Sequence, residues 1–135
     1  MRAAGFQVLE ASDIAEGLAS EQAAWKPIVS SLARPEWSVA LTANDAVEQV
    51  ERQWRRLVHE RGLASGDGTL LISLTRQDDD GGWVVVRLPD GPLVLDALGP
   101  NPGEPEFVAM SLVGDVVCGV TAEEYELWVV CARLD

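Results

Sequence analysis

The sequence predicts an α+β domain in which two to three helices from the N-terminal half pack on one face of a mainly antiparallel, meander-like sheet. Three observations predict it. Apolar residues recur at helical spacing up to about residue 62, they switch to strand-like runs from residue 69 onward, and those runs are separated by short Asp/Gly/Pro turns. Helices followed by consecutive strands argue for segregated layers rather than a doubly wound parallel sheet.

Residues 5–10 (GFQVLE) read as a short strand or an ordered lead-in. Asp13 and Glu16 then fit a capping box, and Ile14, Leu18, Trp25, Ile28, Val29 and Leu32 follow at helical spacing. Pro27 has no N–H to donate, so the spacing predicts two short helices or one kinked helix over this stretch. Arg34-Pro35-Glu36 ends it, and residues 37–41 form a brief extended segment.

The second helix carries the clearest pattern. Asn44 or Asp45 caps it, and Val47, Val50, Trp54, Leu57 and Val58 make one stripe. Glu48–Arg52 and Glu51–Arg55 are acid-first pairs four apart, and Gly62 supplies the stop. Strands are then expected at 69–75, 83–88, 93–97, 107–112, 116–120 and 125–133, with 99–105 as an irregular loop. Successive apolar positions at 83–86 and 128–130 mark strands covered on both sides. The reading is one domain over 1–135, helical over about 12–62 and sheet over about 69–134.

A length of 135 residues suits one core, and 47% hydrophobic with 24% charged residues is a globular composition. Twenty-two acids against ten bases give a net charge of −12, which repels phosphate backbones and anionic bilayers. Nucleic-acid and membrane partners are therefore excluded from the expectation. No apolar run is long enough to cross a bilayer and no apolar core follows Arg2, so a cytoplasmic protein is expected. Cys118 and Cys131, both in apolar strand-like stretches, read as small buried hydrophobes rather than as a structural disulfide.

Chemistry-bearing motifs are lacking: the sequence has no GxGxxG, GxxxxGK[ST], GxSxG or HExxH. The run Asp78, Asp79 and Asp80 is contiguous, whereas an EF-hand loop alternates its ligands and closes with an acid that is missing here. It reads as a solvated hairpin tip. Glu123, Glu124 and Glu126 form a second acidic knot. His59 stands among Arg52, Arg55, Arg56 and Arg61 on the polar side of the second helix, with no nucleophile to serve beside it. That arginine group reads as a solvated face, with the capacity to grip a carboxylate or phosphate. Among five tryptophans, Trp25, Trp54, Trp83 and Trp128 fall on apolar stripes; Trp37 does not, which makes it the candidate interface anchor. No catalytic residue, metal or cofactor is expected.

These readings favour a non-enzymatic protein-binding module (inhibitor, immunity-like or chaperone-like) for a basic partner. Its expected surface is Trp37, Asp78, Asp79, Asp80, Glu123, Glu124 and Glu126. The alternative is a small-molecule-binding domain or motif-poor enzyme with a pocket between a curved sheet and helices. The order of two short helices, a strand, a long helix and a meander resembles that of the nuclear-transport-factor-2-like superfamily, and the resemblance implies such a pocket. A third reading is a homo-oligomer assembled through an exposed edge strand.

Overall fold

The computed structural model describes residues 4–9, 21–30, 33–74, 83–99, 101 and 103–134. The elements run β1 (Gln7–Val8), α1 (Glu21–Val29), β2 (Trp37–Ala40), α2 (Ala46–Glu60), β3 (Thr69–Ser73), β4 (Val84–Arg87), a 3-10 helix (Leu95–Leu98), β5 (Phe107–Met110), β6 (Val116–Ala122) and β7 (Glu126–Arg133). Every strand pair is antiparallel, and the seven strands form one sheet in the order β1-β4-β3-β5-β6-β7-β2. The protein is thus α+β with an antiparallel sheet, as the change of period at residue 69 predicts.

The meander is interrupted. β3 and β4 form a hairpin, the chain crosses to the far side of β3 to lay down β5, and only β5, β6 and β7 follow in line. Both edges, β1 and β2, come from the N-terminal half. The strand expected at 93–97 is instead the 3-10 helix, which buries Leu95 and Leu98. A short apolar run carries too few residues for its period to separate strand from helix. Val94 donates to the Ala4 carbonyl at 2.8 Å, tying this crossing segment to the chain beside β1.

The helices do not share a face. α2, with Leu93, Leu95 and Leu98, covers Phe6, Leu70, Ile72, Val86, Phe107, Ala109, Val120, Leu127 and Val129. α1 sets Ala24, Trp25 and Ile28 against Leu71, Val85, Val108, Met110, Val117 and Val130 on the opposite side. The expectation of a single covered face is corrected. Successive strand residues point to opposite faces, and all five residues of β3 are buried, so both faces need a covering layer.

α2 forms as its stripe dictates, burying Ala46, Val50, Trp54, Leu57 and Val58. Trp54 fills the space between helix and sheet, edge-on to Phe6 at 6.3 Å and to Phe107 at 5.2 Å. Its indole N–H donates to the Cys118 carbonyl at 3.1 Å. Asp45 stands at the N-cap, but its carboxylate accepts from the Gln49 side chain at 2.6 Å rather than from a backbone N–H. At the other end Gly62 takes φ +69°, while Gly62 donates to His59 and Leu63 to Val58, a Schellman closure.

α1 runs through Pro27 and ends two residues later. The proposed capping residues Asp13 and Glu16, with Ile14, Leu18 and Leu32, lie outside the described residues. Gly119 lets α1 sit close to the sheet: a Cβ there would stand 2.9 Å from the Ile28 Cγ2. No helix among the described residues is long and apolar enough to cross a membrane.

Candidate functional site

The acidic knot Glu123, Glu124 and Glu126 forms the turn between β6 and β7, and all three side chains are exposed. The turn closes where Glu123 N–H donates to the Glu126 carbonyl at 2.7 Å. Two of the carboxylates are held in place: Glu123 accepts from the Thr121 hydroxyl at 2.7 Å and Glu126 from the Trp128 indole at 2.9 Å. Between them Tyr125 is 75% exposed, while its backbone carbonyl accepts from Leu41 at 2.9 Å. That bond joins the acidic turn to the end of β2.

Among the described residues, β2 is an edge of the sheet with no strand beyond it. Because Leu41 directs its N–H toward β7, the preceding residue Ala40 directs its own outward. Ser38 and Ala40 are exposed, and the strand WSVA contains neither the charges nor the proline that commonly protect an edge. No Lys or Arg lies between Pro35 and Glu51, or between Thr121 and Trp128. Edge and turn together form an uncharged strand with an acidic rim.

Trp37 is placed differently from its expectation. It is half-buried and packs against the core layer that α2 covers. It sits at the alternating position that the pleat turns inward, so it anchors β2 to the body of the protein rather than presenting a free indole. The exposed aromatic is Tyr125, whose signal was its position: an aromatic between three acids in a turn has no apolar face to join.

Asp78, Asp79 and Asp80 lie outside the described residues. The residues that bracket them do carry information. Ser73 pairs with Val108, and Val108 with Gly119, so β3 leaves the sheet at the same end as β6. Ser73, the last residue of β3, therefore points the chain toward the end of the sheet that carries the Glu123–Glu126 turn.

The arginines of α2 divide into separate tasks. Arg61 pairs with Glu36 at 2.7 Å and Arg56 with Glu60 at 2.8 Å, while the expected Glu48–Arg52 pair does not form. Arg55 pairs with the buried Glu51 at 3.2 Å and reaches the 89–91 turn, donating to the Pro89 and Gly91 carbonyls. Arg52, Arg56 and the exposed His59 line an open cleft of about 740 Å³ against Ser65 and Gly66. This cleft is on the outer side of α2. The space between helix and sheet, where the alternative reading expected a pocket, is filled by Trp54, Phe6 and Phe107.

Among the described residues, no three His, Cys, Asp or Glu side chains gather closely enough to hold a metal ion. Comparison with protein families, with curated proteins and with solved structures finds no match, so nothing about function is carried to this chain from another protein.

Proposed function

We propose that this protein is a non-enzymatic binding module that takes an extended basic segment of a partner protein along β2. The observation that carries the reading is the unguarded edge strand joined directly to an acidic turn by the Leu41–Tyr125 hydrogen bond. Strand addition to such an edge draws affinity from main-chain hydrogen bonds and specificity from the side chains around it. Here the surrounding charge is negative: Asp45, Glu48, Glu123, Glu124 and Glu126 are exposed acids near the end of β2 or on the adjoining turn. They attract a Lys/Arg-rich segment and speed its encounter. A second copy of the chain is the poorer occupant, because pairing two β2 edges brings two acidic rims together.

The test compares wild-type protein with two variants in affinity capture from native cells, quantified by mass spectrometry. Ala40→Pro removes the outward N–H of the edge strand, a place where proline is tolerated, and Glu124→Lys reverses the charge of the turn. A basic protein captured stoichiometrically by wild type and lost by both variants, with the fold retained by circular dichroism, is the expected result. Capture unaffected by either change sinks the reading, as does a wild-type protein that retains no stoichiometric partner. Light scattering at two concentrations checks that the free protein does not use the same edge on itself.

A second reading rests on the α2 cleft. Its volume of about 740 Å³ falls in the range of small-molecule sites, and Arg52, Arg56 and His59 suit a carboxylate or phosphate. Titration with inorganic phosphate and with acetate, followed by backbone amide shifts at Ser65 and Gly66, tests it; unmoved shifts remove it.

A further inference from the structure

Cys118 and Cys131 face each other across β6 and β7. The hydrogen bonds from Glu123 to Glu126 and from Leu134 to Asp115 fix the alternation of this ladder. Counting along it from either bond makes Cys118–Cys131 a non-hydrogen-bonded pair, the kind whose Cα atoms approach to about 4.5 Å. That separation lies at the short end of the span a disulfide bridges, about 4.4–6.8 Å.

The two thiols are free and unequal. Cys118 is buried beneath α2, while Cys131 is partly exposed. The neighbouring Cys118 thiol, as a hydrogen-bonding partner for the thiolate, pulls Cys131 below the ordinary thiol value; burial opposes this, the nearby Arg61 guanidinium adds to it, and Glu36 opposes it. The same neighbour, Cys131, together with burial, pushes Cys118 well up. The sulfur that solvent reaches is therefore the better nucleophile, and its neighbour is positioned to act second.

We propose that Cys118 and Cys131 form a redox-active thiol pair that closes reversibly to a disulfide by exchange with low-molecular-weight disulfides. Cys131, as thiolate, attacks one sulfur of the small disulfide and breaks its S–S bond. One small thiolate leaves and takes up a proton, and a mixed disulfide remains on Cys131. Cys118 then loses its proton to solvent, attacks the Cys131 sulfur and displaces the second small thiolate, which is protonated in turn. Two protein thiols lose two electrons, and one small disulfide gains them to become two thiols.

The full-length protein equilibrated across mixtures of reduced and oxidised glutathione tests this. Thiols are quenched by alkylation and the chain is cleaved after glutamate. Glu123, Glu124 and Glu126 lie between the two cysteines, so their peptides stay joined only through a disulfide. The expected result is a linked pair at oxidising ratios that separates on adding dithiothreitol. In the native reduced protein, alkylation reaches Cys131 about tenfold or more faster than Cys118. Cys118→Ala is expected to leave one glutathione retained on Cys131. Two free thiols at every ratio overturn the proposal, as do disulfides formed only between chains or equal labelling of the two cysteines. Should the variant fail to fold, the wild-type linkage and labelling order decide the matter by themselves.

Discussion

Glu51 and Arg55, one helical turn apart on α2, hold the same crossing segment at three points. The Glu51 carboxylate accepts from the Leu93 N–H at 3.3 Å, while Arg55, paired to it at 3.2 Å, donates to Pro89 at 3.1 Å and Gly91 at 2.9 Å. A helix pair that commonly decorates a surface here ties the β4–β5 connection to α2. Removing one member leaves the other without its charge partner in a mostly dehydrated place. Glu51→Gln and Arg55→Ala are each expected to lower stability by about 1–3 kcal/mol in urea unfolding. The double variant should lose less than the sum of the two; simple additivity would show that the pair does not work as a unit.

Asp67 contributes a local sensitivity to acid. Its carboxylate accepts from the Ser65 and Thr69 hydroxyls and from the Thr69 N–H, with Arg87 at 3.2 Å. The Ser65 and then the Thr69 hydroxyl bonds are the chief reasons its pKa falls from 3.8 to about 2; burial acts against them, and Arg87 adds to them. A carboxyl depressed in the folded state adds stability that is complete above its unfolded value and is lost as pH falls through the folded one. Asp67→Asn should therefore flatten the stability profile between pH 4 and pH 2, and carbon NMR of the Asp67 carboxyl should titrate near the low end of that window. A carboxyl titrating at an ordinary aspartate value would refute it.

Two glycines distinguish a yielding clash from an unyielding one. A Cβ on Gly119 meets Ile28 Cγ2 at 2.9 Å and both the Phe107 carbonyl and Val108 Cγ2 at 3.2 Å. Gly119→Ala should cost about 1–3 kcal/mol by pushing α1 outward, and Ile28→Val in the same chain should recover part of the loss. A Cβ on Gly99 meets the Glu104 carbonyl group and the Pro105 Cα, all backbone. With no side chain to give way, Gly99→Ala should show the larger drop in melting temperature.

Tyr125 and Trp37 should exchange the roles that aromatic type alone assigns them. Tyr125→Ala removes an exposed ring and should leave stability within about 0.5 kcal/mol of wild type while weakening partner capture. Trp37→Ala removes a ring packed on the core and should cost about 1–3 kcal/mol. Calorimetry of the two variants checks the contrast, and a destabilised Tyr125→Ala would contradict the geometry of the turn.

What was legible in the sequence is what short range determines. The stripe from Val50 to Val58 fixes α2, the αL requirement at Gly62 ends it, and the strands expected at 69–75, 83–88, 107–112 and 125–133 form with trimmed ends, while the one expected at 116–120 runs on to Ala122. The unbroken apolar runs already implied two covered faces, yet nothing local says which helix goes to which. Leu93 and Leu95 alternate like a strand, yet Leu95 opens a 3-10 turn, because the chain there crosses the sheet instead of joining it. The site was half visible: the acids of the Glu123–Glu126 turn are there in the residues, but their junction with β2 depends on a long-range register. So does the meeting of Cys118 with Cys131, which apolar surroundings alone made look inert.

The origin of the two sheet edges has a kinetic consequence. β3 to β7 are consecutive in the chain, whereas β2 must return from the N-terminal half to pair Trp37 with Val129. Contacts between distant parts of a chain carry the larger closure entropy and form late. The inner strands can assemble from neighbours, and β2 is laid against β7 afterwards, held there by four residue pairs. In native hydrogen exchange its amides should therefore open at lower free energy than those of β6. The strand proposed to receive a partner would then be the last of the sheet to arrive and among the first to lift away, so that a bound segment would be gripped by a border still partly in motion.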